Sequence, residues 1–227
     1  MWNPQTRSRT LARASAWVAL ALAGGCSDAT GPVVPVSLQA AGHHAESVYE
    51  QVFSDQWSAA KTFADSLAQD LDDMDRQGVA ATTARAELRT SFAGLDAALI
   101  TRERFVALDG ANEMTRVVAE LTEMHHPSVP TEITLLDYYG RVLQIQSERD
   151  DRTALATGVD GLRLTWDAVR AKVVARPQGA AAAADFDALV LLAESTAEPT
   201  AFADLSVRIL DAVDVLEQLF PASDAPD

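Results

Sequence analysis

The chain has 227 residues, 48% of them hydrophobic, with 18 Lys and Arg against 33 Asp and Glu and a single Cys. This length and apolar content support a real core in one domain or two small ones, while a net charge of −15 argues against nucleic-acid binding, which needs clustered positive charge. One Cys excludes an intramolecular disulfide framework, a Cys-built zinc cage and an iron–sulfur cluster held by this chain alone, and only 11 Gly and 9 Pro point to a helical protein.

Arg7, Arg9 and Arg13 form a positive start with no acidic residue before Asp28. Ala14 to Ala23 (ASAWVALALA) follows as a short apolar run. Such a run rises about 15 Å as a helix, half of what a membrane span needs. A charged start, a short apolar run and small residues after it read as a secretory signal.

Leu22-Ala23-Gly24-Gly25-Cys26 resembles the lipobox of bacterial lipoproteins, with Ala23 where such sites more often carry Leu. The resemblance implies diacylglyceryl attachment to the Cys26 thiol, cleavage before it and acylation of the new amino terminus. Ser27 after the cysteine, in place of Asp, implies the outer membrane in a two-membrane bacterium. Two or three acyl chains, at about 0.8 kcal/mol per buried CH₂, give stable anchoring. Cleavage removes three Arg and no acid, leaving 15 basic and 33 acidic residues, net −18. Anionic headgroups repel such a chain, so the lipid must do the holding.

These features divide the chain into a signal peptide over 1–25, the lipidated Cys26 with a flexible tether over 26–42, a helical domain over 43–221 and a disordered tail over 222–227. Gly31, Pro32 and Pro35 mark the tether.

Seven helices are predicted in the domain. His44 to Arg76 carries Phe53, Trp57, Ala60, Ala64, Leu67, Leu71 and Met74 at alternating three- and four-residue steps, and Gly78 ends it. Ala80 to Ile100 and Glu103 to His125 follow, with Pro127 forbidding continuation. Pro130 to Ser147 suits a helix with Pro in its first turn. Thr153 to Arg176 shows Leu155, Val159, Leu162, Trp166, Val169 and Val173 on one face; Ala180 to Ser195 and Thr200 to Leu219 close the chain. No stretch alternates with period two long enough to make a strand. The expected fold is all-α, a bundle of about seven antiparallel helices.

A weak internal repeat appears at a slide of 94 residues, which pairs Phe92, Leu95, Ala107, Glu123 and Pro127 with Phe186, Leu189, Ala201, Glu217 and Pro221. If it is a duplication, two three-helix units flank the Pro130 to Ser147 helix.

The histidines come as two pairs, His43-His44 and His125-His126. Glu123-x-x-His126 has the spacing that places two ligands on one helix face, and Met114 and Met124 would add thioethers suited to copper. Against this, adjacent histidines point about 100° apart on a helix, and the helix dipole alone favours His in a last turn. A di-iron site needs a second motif, and Glu217-x-x-Phe220 lacks the imidazole. Glu123, His125 and His126 are the candidate ligands for a transition metal.

Asp73-x-Asp75-x-Gln77-Gly78 has a calcium-loop beginning, but the bidentate Glu it requires falls on Ala84. Trp57 and Trp166 sit in apolar stripes and read as core. Asn112 and Thr115 interrupt an apolar stripe; a polar pair facing a core must be hydrogen-bonded, so it could line a cavity joined by Tyr138, Tyr139 and Arg141. No G-x-S-x-G, H-E-x-x-H or phosphate-binding Gly loop is present, and the anchor consumes the cysteine.

The expectation is a lipid-anchored, extracytoplasmic binding or scaffolding module at the cell envelope, meeting a protein partner and not an enzyme. Two alternatives stay open. One is an envelope metal or haem carrier using His125 and His126. The other is an enzyme with a carboxylate-only site, which a pocket holding two convergent carboxylates of raised pKa would favour.

Overall fold

Apolar residues at alternating three- and four-residue steps can share a buried surface only if the backbone is helical. In a computed structural model that describes residues 34–79 and 81–221, this patterning forms eight α-helices and no strand. They are α1 (Val36–Phe53), α2 (Trp57–Gln77), α3 (Thr82–Thr101), α4 (Arg104–Glu123), α5 (Thr131–Arg149), α6 (Arg152–Val174), α7 (Gly179–Ser195) and α8 (Phe202–Glu217), the last preceded by a 3₁₀ turn over Pro199–Ala201. The fold is an all-α bundle.

Two boundaries differ from the sequence expectation. Helix α1 begins at Val36, so residues 36–42 are helix and not tether. The buried series Leu38, Ala41, Ala45, Val48 and Val52 runs straight through Gly42, which faces Val118 of α4. The expected helix from His44 to Arg76 is in fact two. Asp55 takes a left-handed backbone (φ 58°) between α1 and α2, a conformation that Asp tolerates better than most residues. Elsewhere Gly78 (φ 66°) ends α2, and the Asp151 side chain caps α6 by accepting from the Ala154 N–H at 3.0 Å.

The helices form two rings of four. In the first, α1 packs on α2 and α4, and α3 closes the ring between α2 and α4; in the second, α5, α6, α7 and α8 repeat that order of neighbours. Short connections make consecutive helices antiparallel. Each ring has its own core: Leu38, Leu67, Met74 and Met114 are buried in the first, Leu162, Trp166, Phe186 and Ile209 in the second. Contact of α4 with α5 joins the rings, and Ile145 of α5 is buried in the first core.

The repeating unit is therefore four helices, and α5 opens the second unit instead of linking two three-helix units. Its register is one residue longer than the 94-residue slide. Burial matches between Leu38 and Ile133, Val48 and Leu143, Leu67 and Leu162, Ala98 and Ala193, Val118 and Val213, and Leu121 and Leu216. The shorter slide would pair buried Ala107 with exposed Ala201; the longer one pairs it with buried Phe202. Large and small side chains trade places between the cores, as with Ala60 and Leu155 or Leu88 and Ala183, so each packs by its own set of volumes.

Candidate functional site

Where α3 and α4 meet α5 and α6, an open groove of about 670 Å³ lies between the two rings. Leu95, Asn112, Gln146 and Gly158 line it and are buried. Asn112 is fixed by two bonds. Its Nδ2 donates to the Tyr138 carbonyl at 3.0 Å, tying α4 to α5, and its own carbonyl accepts from the Thr115 hydroxyl at 2.6 Å. Tyr138 and Tyr139, both in the lining, meet edge to face with ring centroids 5.0 Å apart. The Tyr139 ring lies over Gly161 of α6, where an added Cβ would fall 2.1 Å from Cε1. Across the groove on α3, a Cβ on Gly94 would meet nothing within 4 Å.

Gln146 supplies an acceptor that the protein leaves unused. It is 8% exposed, and its buried Oε1 finds no hydrogen-bond partner. An orphaned buried acceptor costs roughly 1–3 kcal/mol, which a donor from a bound molecule would recover.

The charged lining residues are Asp109 and Glu113, with no Lys, Arg or His among them. Asp109 pairs with Arg149 at 2.7 Å, yet burial outweighs that guanidinium and keeps the carboxyl above its ordinary range. Glu113 pairs with Arg116, 2.5 Å away, which also faces Glu120 and, at 3.4 Å, Glu87. One guanidinium thus serves three carboxylates. Burial, reinforced by the Glu113 charge, pushes the Tyr138 phenol up to about 12, so it stays protonated at neutral pH.

A second polar cluster lies where α1, α5 and α8 approach one another, and none of its residues lines the groove. Arg141 of α5 is 8% exposed, pairs with Asp137 and stands 3.6 Å from Glu46 of α1. Its guanidinium also lies 5.2 Å from the centre of the Tyr49 ring, whose hydroxyl donates to Gln144 at 2.9 Å. Burial works against the Arg141 charge, but Asp137 and Glu46 outweigh it and hold the group protonated. Burial raises Glu46 to about 7, Arg141 pulling down while Asp137 and Glu50 push up. Glu217 of α8 rises to about 8, from burial first and then the charges of Asp137, Glu46 and Asp214.

The residues singled out in the sequence separate accordingly. Asn112, Tyr138 and Tyr139 come together in the groove with Thr115 behind Asn112, whereas Arg141 belongs to the other cluster. Glu123-x-x-His126 does not share a helix face, because α4 stops at Glu123 and His126 takes a left-handed backbone (φ 49°). Glu123 and His126 are exposed, and His125 is half-buried with Nε2 lacking a partner. Among the described residues no three His, Cys, Asp or Glu side chains converge as metal ligands.

His44 instead pairs with Asp70 at 2.5 Å, and Arg89 takes Asp72 at 2.5 Å and Asp75 at 2.7 Å, so tertiary pairing absorbs much of the acidic run of α2. Trp166 is core, its indole N–H donating to Asp187 at 2.7 Å; Trp57 is half-buried against the first core. Gln146 was not singled out in the sequence, and Glu217 entered only as the repeat partner of Glu123; their place in the fold distinguishes them. Cys26 lies outside the described residues. Compared with known proteins, the chain matches no family model, no curated protein and no solved structure.

Proposed function

We propose that this chain is a lipid-anchored, extracytoplasmic binding protein of the bacterial cell envelope, and that the groove between its two four-helix rings is the binding site. The observation that carries the site is the groove itself: helices of both rings build it, and Gln146, one of its lining residues, has a buried Oε1 without a hydrogen-bond partner in the protein. Its volume of about 670 Å³ falls in the range of small-molecule sites, and its mixture of apolar, aromatic and a few fixed polar groups is the usual chemistry of such sites. The anchor rests on the lipobox-like sequence ending at Cys26. Among the described residues no helix is long and apolar enough to cross a membrane, and on this reading the acyl chains supply the attachment.

The test has two arms. Metabolic labelling with a fatty acid should mark the wild-type chain and not Cys26→Ala; equal labelling of both removes the anchor from the proposal. Native mass spectrometry of protein extracted from its own membranes should show a bound small molecule that Gly94→Trp, which fills the groove from α3, releases. A ligand retained in Gly94→Trp would place binding elsewhere.

A second reading, an enzyme working with carboxylates alone, draws on Glu46 and Glu217, whose raised pKa values suit proton transfer near neutral pH. It requires a substrate to reach the Arg141 cluster, and a hydrolytic activity lost in both Glu46→Gln and Glu217→Gln would bring it forward.

A further inference from the structure

The groove's lining is unbalanced in both charge and hydrogen bonding. Asp109 and Glu113 are the charged residues of the lining, which holds no basic side chain, in a protein whose net charge is −15. The two arginines that hold these carboxylates lie outside the lining, and Arg116 is shared with Glu87 and Glu120. Asp109, Glu87, Glu113 and Glu120 share Arg116 and Arg149, four carboxylates to two guanidiniums. Gln146, a residue of the lining, has a buried acceptor, Oε1, without a hydrogen-bond partner. Two tyrosine rings supply aromatic surface, which attracts cations at its faces and accepts apolar groups.

We infer that the groove's ligand is a small organic amine, protonated at neutral pH and carrying an apolar body. This deepens, and rests on, the assignment of the groove as the binding site. The ammonium group donates to the carboxylate side of the groove and to Gln146, and the body lies against Tyr138, Tyr139, Leu95 and Val142. Asp109 fits the role of counter-charge, because burial leaves its carboxylate under-compensated even with Arg149 in contact. An anionic ligand would meet two carboxylates and no basic side chain in the lining. A neutral ligand of the same shape would bring no cation to these carboxylates. The groove's volume suits a small molecule and not an extended polypeptide surface.

The test uses the full chain in detergent at pH 7 and three probes of similar shape: phenethylamine, phenethyl alcohol and 3-phenylpropionate. A lysine-containing peptide is the fourth. Binding is read by ligand-observed NMR and calorimetry on the wild type, on Gly94→Trp, on Asp109→Asn, and on Thr157→Trp, which fills the groove from α6. Circular dichroism checks that each variant folds, and the two filling variants back each other up.

The expected result is phenethylamine bound at least tenfold more tightly than phenethyl alcohol, with no binding of 3-phenylpropionate. Both filling variants should abolish binding, and Asp109→Asn should weaken it several-fold. Equal binding of alcohol and amine, lost on filling, overturns the amine assignment and leaves the groove as the site. Binding of the peptide alone, lost on filling, overturns it in favour of a basic protein partner. Amine binding that survives both filling variants, or no binding of any probe, overturns the groove reading as well.

Discussion

Tyr49 donates its hydroxyl proton to Gln144 at 2.9 Å, and the two residues hold equivalent places in the two rings, 95 residues apart. The same is true of Glu46 and Arg141, which approach to 3.6 Å. These side-chain contacts, beside the α4–α5 junction, bring together corresponding positions of α1 and α5, made complementary by substitution: acid against base, phenol against carboxamide. Such a contact is sensitive to protonation.

Glu46 and Glu217 have folded-state pKa values of about 7 and about 8, above the ordinary 4.5. The native state therefore holds these protons more tightly than the unfolded chain does. Their contribution is fully present below pH about 4.5 and is lost as pH rises through 7 and 8. Stability from urea unfolding should fall between pH 5 and pH 8.5, by several kcal/mol. Glu217→Gln should flatten the profile and be the more stable protein at pH 8.5. An unchanged slope in that variant would remove Glu217 as the cause.

Gly161 gives a sharper steric prediction. A Cβ there would overlap the Tyr139 ring, so Gly161→Ala should cost about 1–3 kcal/mol although alanine favours helix. In a Tyr139→Ala background the same change should be neutral or stabilising. A double-mutant cycle by denaturant titration reads the difference.

Gly94 predicts the opposite sign. It sits inside α3 with open space beside it, and Gly94→Ala should stabilise by about 0.4–1 kcal/mol through helix propensity and a less disordered unfolded chain. A rise of a few degrees in Tm would show it.

Ile145 tests the coupling of the rings. It belongs to α5 yet is buried in the first core, 1% exposed. Ile145→Ala should cost about 2–5 kcal/mol. The loss should appear in hydrogen exchange of α1 and α4 as well as α5. Protection lost in the second ring alone would mean that the rings open independently.

Helices were legible in the sequence wherever large apolar residues marked one face, as from Leu155 to Val173. The break at Asp55 was not, because neither Gly nor Pro signals it and the apolar spacing continues from Phe53 to Trp57. The repeat was visible but one residue out: identities such as Phe92 with Phe186 do not report which residue faces inward, and core positions exchange sizes, as Ala107 does with Phe202. Of the groove, Asn112 and the tyrosine pair were readable as polar or aromatic interruptions of apolar stripes. Gln146 looked like any glutamine at a helix end. Arg141 announced no partner either, since Glu46 is a whole repeat away and only the meeting of α1 with α5 brings the two together.

The pairing of Glu46 with Arg141 also fixes the chain's parts in order. A molecule assembled from two first halves would set glutamate against glutamate at this contact, and one from two second halves would set arginine against arginine. At this contact each half is therefore complementary to the other and not to a copy of itself.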